Sequence, residues 1–193
     1  MKQATPVLLA AWRHQEVRDG FEVVFVHDDD DGERLDGHVA AVEDAQGWWV
    51  AYEIRLDRSW RTRTATVSAR SLAGMRTVLV EGNGTGRWLV DGAAAPHLDG
   101  CLDVDLEASV LTNAFPVRRL GLSVGGAADA PAVYVRAADV TVERLEQTYV
   151  RASDDKGRER YDYAAPAFGV ECRLAYDERG LLLDYPGLAT RVA

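Results

Sequence analysis

Apolar and polar residues alternate with a period of two along much of this chain. Val50, Tyr52, Ile54 and Leu56 alternate with Trp49, Ala51, Glu53 and Arg55. Thr62, Thr64, Thr66 and Ser68 alternate with Arg61, Arg63, Ala65, Val67 and Ala69. Leu102, Val104 and Leu106 alternate with Cys101, Asp103, Asp105 and Glu107. Successive side chains of a strand point to opposite faces, so each run predicts a strand with one apolar and one polar face. Turn-forming residues separate the runs: Asp28-Asp29-Asp30-Asp31-Gly32, Gln46-Gly47, Gly82-Asn83-Gly84, Asp91-Gly92, Gly125-Gly126, Asp154-Asp155-Lys156-Gly157 and Asp177-Glu178-Arg179-Gly180. Such spacing predicts a meander of antiparallel hairpins.

Helical signal is thin. Val140–Tyr149 could be drawn as a helix, but Val140, Val142 and Tyr149 favour a strand, and a short turn is expected near Ser109–Asn113. No linker, fixed-period repeat or low-complexity tract divides the chain, which predicts one domain over residues 1–193. A meander of roughly ten strands must manage its edges, and curling the sheet does so while enclosing a concavity. The expected fold is therefore all-β: a single rolled antiparallel sheet or half-barrel with little helix.

Hydrophobic residues make up 47% of the chain, enough to fill a core, while a formal net charge of −9 argues against a nucleic-acid partner and against adsorption to an anionic membrane surface. Two cysteines, Cys101 and Cys172, are too few for a disulfide framework or a thiolate metal site. No stretch reaches the roughly 20 apolar residues of a membrane-spanning helix. The short apolar run Val7–Trp12 ends at once in Arg13-His14, too brief for an export signal, so a cytoplasmic location is expected.

The densest polar segment runs from Leu98 to Glu107 and sets Asp103, Asp105 and Glu107 on one strand face, with Asp99 just before. Like charges two residues apart repel and call for cations, water or a ligand. Arg61, Arg63, Arg118 and Arg119 are the candidate partners, since guanidinium matches a carboxylate with paired hydrogen bonds. Three readings compete: a salt-bridged strand face or buried Arg–Asp network of a structural or interaction domain, the polar floor of a ligand cavity, and a carboxylate acid–base pair in a hydrolase acting on a sugar or ester. Trp60-Arg61-Thr62-Arg63 adds a ring beside two arginines, a pattern suited to a carboxylate, phosphate or sugar. Trp48, Trp49, Trp60 and Trp88 could stack on sugar rings or pack in the core. The Asp28–Asp31 run reads as a solvated hairpin tip. No nucleophile motif, metal-binding histidine pair or phosphate loop is present, so no cofactor and no metal are expected.

Several segments together resemble the putative glycolipid-binding family, a bacterial group named from a domain of unknown function. They are Trp60-Arg61-Thr62-Arg63, Gly86–Gly92 with Trp88, Leu98–Leu106, Thr112–Leu120 with Asn113, Gln147-Thr148-Tyr149 and Gly180–Leu188. Two small departures are Ala114-Phe115 in place of Thr-Leu and Ala108-Ser109-Val110 where Thr-Pro is common. The resemblance implies a spiral β-roll similar to lipoprotein carriers, and a non-enzymatic protein holding a glycolipid or other amphipathic small molecule in its concavity. On that reading the candidate ligand-binding residues are Trp60, Arg61, Arg63, Trp88, Asp103, Asp105, Asn113, Arg118, Arg119 and Tyr149.

Overall fold

The structure, a computed structural model, describes residues 7–193; Met1–Pro6, which head the segment tested for an export signal, lie outside the described residues. The chain folds as β1 (Leu8–His14), β2 (Asp19–Asp29), β3 (Gly32–Glu43), β4 (Gln46–Asp57), β5 (Thr62–Ser71) and β6 (Gly74–Gly82), then the short β7 (Trp88–Val90) and β8 (Ala93–Ala94). After β9 (Asp103–Leu106), a turn of 3-10 helix at Leu111–Asn113 leads into α1 (Ala114–Leu120). The second half comprises β10 (Ala127–Asp129), β11 (Ala132–Val135), β12 (Val142–Leu145), β13 (Thr148–Asp155), β14 (Arg158–Ala165), β15 (Val170–Tyr176), β16 (Leu182–Tyr185) and β17 (Ala189–Arg191).

Fourteen of these strands form one curved, unclosed antiparallel sheet in the order β10-β13-β14-β15-β16-β17-β1-β2-β3-β4-β5-β6-β7-β8. The predicted meander is there: Asp29 pairs with Gly32 across the tip of the acidic hairpin, and β4 pairs residue for residue with β3 from Gln46 to Asp57. Alternation holds on the long strands, where Val24, Leu35, Val39, Val50, Ile54 and Val67 turn inward and are essentially inaccessible.

A second sheet, β12-β11-β9, lies within the curve, and its β9–β11 pair is parallel. The chain from Cys101 to Val117 is buried at every residue except Leu102 and Glu107. It therefore acts as a plug filling the concave side of the sheet. This corrects the expectation for β9: neither face meets solvent, and Asp103 and Asp105 are buried beside Val104 and Leu106. The helix α1 was not foreseen. Pro116 falls in its first turn, where a missing N–H costs nothing, and Gly121 ends it at φ +53 with its N–H on the Val117 carbonyl.

The plug is held by a buried carboxylate on the large sheet. Glu22 of β2 accepts hydrogen bonds from the Tyr52 hydroxyl at 2.6 Å, from the Ser109 hydroxyl, and from the Val110 N–H at 2.9 Å. Tyr52 reaches Glu22 only because it lies across Gly37 of β3: a Cβ there would sit 2.0 Å from the tyrosine ring. Gly37→Ala should therefore force the ring off its partners and lower stability by about 2 kcal/mol, the usual range for overpacking. Chemical denaturation of the variant, with Tyr52→Phe alongside, checks this; an unchanged midpoint in Gly37→Ala would contradict it.

Candidate functional site

The plug does not fill the roll. At one end of the concavity a cavity of about 790 Å³ remains, within the size range of small-molecule sites. Its inner wall carries Asp105 and Asn113 of the plug and Tyr163 and Tyr185 of the large sheet. Leu106, Leu145, Val170 and Leu188 add aliphatic surface. The mouth is framed by Arg18 ahead of β2, Trp48 at the start of β4, Arg136 after β11, and Phe168 in the β14–β15 connection.

The tyrosines are there because β13 to β16 place them on the inner face at alternating positions. Tyr149, Tyr163 and Tyr185 follow one another with ring centroids 5.1 and 6.0 Å apart. Tilted and edge-on contacts of this kind add to the area each ring buries. Tyr149 is fully buried behind the cavity wall, where the Asn113 side-chain amide donates to its hydroxyl at 3.0 Å.

Asp105 is the carboxylate of the inner wall. Its carboxylate accepts from the Thr112 hydroxyl at 2.8 Å, and no cation lies within ion-pair reach among the described residues. Burial pushes its carboxyl up to about 6, against the pull of the Thr112 hydrogen bond, with Asp103 and Glu107 raising it further. Asp103, two residues along β9, is held differently. Arg119 of α1 grips it with two hydrogen bonds of 3.0 and 2.5 Å, and the pair is closed off from solvent on the carboxylate side. Burial pushes Asp103 above the ordinary carboxylate range, while Arg119 pulls the other way.

The sequence-predicted residues thus divide. Asp105 and Asn113 line the cavity, and Tyr149 stands directly behind Asn113. Asp103 and Arg119 form a buried ion pair beside it. Arg61 and Arg63 do not meet the aspartate strand. They donate to the carbonyls of Gly84 in the β6–β7 connection and of Gly82 at the end of β6, at 3.0 and 3.1 Å. A bulge between β4 and β5 explains the shift: Leu56 pairs with Thr62 and Arg55 with Thr64, so Arg63 is the extra residue and turns outward. Trp60, at φ +63 in the β4–β5 turn, packs on Phe115 and lies under the Arg118 guanidinium, 3.8 Å from ring centroid to carbon. Arg118 also donates to the Arg179 carbonyl. Trp88 is a buried side chain donating to the Cys101 carbonyl at 2.9 Å. Among the tryptophans, Trp48 is the one at the cavity mouth.

An acid–base pair of Asp103 and Asp105 would need both carboxylates to reach a substrate, and Asp103 is tied to Arg119 outside the cavity lining. Sequence reasoning passed over Arg18, Tyr163 and Tyr185. Arg18 stands alone in a loop without a pattern. The tyrosines carried a usable signal, since Tyr161-Asp162-Tyr163 alternates as a strand with an aromatic inner face. No group of three or more metal-ligating side chains exists among the described residues, and none of their helices is long and apolar enough to cross a membrane.

A curled, unclosed antiparallel sheet with an internal plug and an aromatic, partly polar cavity defines the general class as a β-roll. More particularly, the chain belongs to the family described as "Putative glycolipid-binding", whose model matches residues 9–191. A DUF1089 family protein from Pseudomonas aeruginosa has a similar solved structure, with 30% identity and a TM-score of 0.77 over 100% of this chain and 96% of that one. A β-barrel-like protein of the domain of unknown function DUF1849, from Brucella abortus, shares the fold at 8% identity and a TM-score of 0.52, over 95% of this chain and 93% of that one. No curated protein matches the sequence.

The Asp105 environment generates a pH prediction. Its carboxyl is raised in the folded state, so folding favours the protonated form; that contribution is complete below the unfolded value near 4 and is lost as pH rises through about 6. Asp105→Asn keeps an acceptor for Thr112 and removes the ionisation. It should leave stability nearly unchanged near pH 4 and raise it by a few kcal/mol at pH 8. Urea denaturation of both proteins across that range checks the sign; a variant less stable than the parent at pH 8 would refute it.

Proposed function

We propose that this protein is a non-catalytic binding protein whose cavity holds an amphipathic, glycolipid-like small molecule. The observation that carries this is the composition of the cavity wall. One stretch is aliphatic and aromatic, at Leu145, Val170, Leu188 and Phe168. Another groups hydrogen-bonding side chains, at Asp105, Asn113, Tyr163 and Tyr185. An acyl chain suits the first. Sugar hydroxyls suit the second, donating to the carboxylate and exchanging hydrogen bonds with the phenols and the amide.

The membership in a glycolipid-binding family supports the same reading. So does the shape: an unclosed roll leaves an opening through which an elongated ligand can enter, and the sheet need not unfold to admit it. Asp103 and Arg119 then serve to fix β9 against α1, which keeps Asp105 in the wall.

The test is ligand occupancy. Native mass spectrometry of the protein with an alkyl glycoside added below its micellar concentration should show a one-to-one adduct. Val170→Trp, which fills the cavity from its wall, should reduce that adduct at least about tenfold with the melting temperature maintained. Absence of any adduct with alkyl glycosides of different chain length would overturn the proposal, as would equal occupancy in Val170→Trp.

A further inference from the structure

The mouth of the cavity contains a buried cation that the amphipathic reading leaves unused. Arg18 is 6% exposed and lines the cavity. Its Nε donates to His14 Nδ1 at 2.6 Å and its Nη2 to the Glu107 carbonyl at 2.9 Å, with the Ala108 carbonyl at 3.5 Å. The Trp48 ring lies alongside, with its centroid 5.3 Å from the guanidinium carbon. Among the described residues no carboxylate is within ion-pair distance of it. The other arginine of equal burial, Arg151, is matched by Asp154, and the partly buried Arg119 grips Asp103.

A guanidinium largely withdrawn from water without a contacting anion is costly, and an anion in contact with it offsets that cost. The surroundings fix its geometry. His14 is buried and neutral, its imidazole lowered to about 4 by burial and by Arg18 itself, so it presents a lone pair to Nε and does not add a second positive charge. The two carbonyls hold Nη2. The guanidinium lines the cavity together with Trp48, and one of its nitrogens remains without an acceptor among the described residues. Three carboxylates act on Arg18 from beyond contact. Glu22 is engaged by Tyr52, Ser109 and Val110, and Glu107 accepts from the Ala137 N–H at 2.7 Å. Glu43 stands at the hairpin tip on the cavity mouth. They offset the charge at a distance and leave the contact position open.

We infer that Arg18 is an anion subsite of the cavity, so that the ligand is an acidic amphiphile whose carboxylate or phosphate lies against Arg18 and Trp48. This rests on the proposed binding function and narrows its ligand class. The opposite charge of Asp105 sets the orientation. Glu107, whose carbonyl holds Arg18, lies two residues after Asp105, just past the end of β9 and about 7 Å on at the rise of a strand. An anion is therefore placed at the mouth, with hydroxyls and the chain inward.

The test compares isosteres on the wild-type protein, so it does not depend on a variant folding. Displacement of a neutral naphthylamine probe is measured with hexadecanoate, hexadecyl phosphate, hexadecanol and an uncharged alkyl glycoside, and with acetate and inorganic phosphate alone. Both anionic amphiphiles should displace the probe about tenfold more tightly than hexadecanol, as expected for a charge-assisted contact to the remaining guanidinium nitrogen. That preference should collapse in Arg18→Gln, with folding checked by circular dichroism. Equal displacement by acid and alcohol would overturn the subsite and leave the cavity reading standing. A preference that persists in a folded Arg18→Gln would overturn the role of Arg18. Acetate or inorganic phosphate alone matching the amphiphiles would overturn a lipid source for the anion. Displacement by no amphiphile of either kind would overturn the cavity reading and the subsite together.

Discussion

The placement of everything functional in this protein depends on one buried carboxylate. Glu22 is wholly inaccessible, and burial pushes its carboxyl up while the Ser109, Tyr52 and Val110 hydrogen bonds pull it down. A buried carboxyl group is tolerated only when its oxygens are satisfied, and here the three donors come from two parts of the fold: Tyr52 from the large sheet, Ser109 and Val110 from the plug. The same node therefore fixes how deep the plug sits in the roll. Gly37 is part of it, since only a residue without a Cβ lets the Tyr52 ring cross β3 to reach Glu22. Losing one partner leaves the others with an uncompensated acceptor, which is why such networks behave as a unit.

The depth of the plug determines the cavity. Phe115, Leu111 and Leu106 fill the middle of the roll and are inaccessible to solvent. Towards the β3–β4 and β5–β6 hairpins the plug stops short, and space remains between Asp105 and the mouth. The Arg119–Asp103 pair acts at the other end of β9, and Tyr176 donates to the Asn113 carbonyl at 3.2 Å to hold the 3-10 turn against β15. Asn113 is thus positioned by two tyrosines, one at its carbonyl and one at its side-chain amide. The inner wall of the site is built from groups that are themselves part of the packing, so it is rigid before any ligand enters.

Much of the fold could be read from the chain because the long strands are half-buried, and a half-buried strand writes its two faces into the sequence. Val50 to Leu56 is such a case. The plug could not be read in the same way. In β9 the alternation of Asp with Val and Leu looks like a strand with a wet face, yet both faces are covered; the carboxylates are satisfied by Arg119 and Thr112, which lie far enough along the chain that spacing alone does not pair them. Asp105 and Asn113 were found through the dense polar segment and its family likeness. Arg61 and Arg63 were misplaced because a single bulged residue changes which side of the sheet a side chain occupies, and a bulge leaves no mark in a period-two pattern. Arg18 was missed because its meaning comes from burial, and an isolated arginine between strands is ordinarily a solvated one.

The cavity sets a carboxylate, Asp105, in its inner wall and a buried guanidinium, Arg18, at its mouth, and this constrains any occupant more than volume does. At the inner end Asp105 has no cation in contact among the described residues, and its raised carboxyl means that a negatively charged group brought beside it would meet repulsion in a poorly hydrated setting. Neutral hydroxyls, which can donate to it, meet none. At the mouth Arg18 inverts this preference. The aliphatic side chains between and beside these points reward apolar length but give no direction. Direction comes from two charges without a contacting counter-ion among the described residues, Asp105 on β9 and Arg18 of the β1–β2 connection, the latter held by the Glu107 and Ala108 carbonyls of the plug. A symmetric apolar molecule would fill the space and leave both charges unsatisfied; a molecule with an acidic end, hydroxyls and a chain meets each part of the wall with its chemical complement.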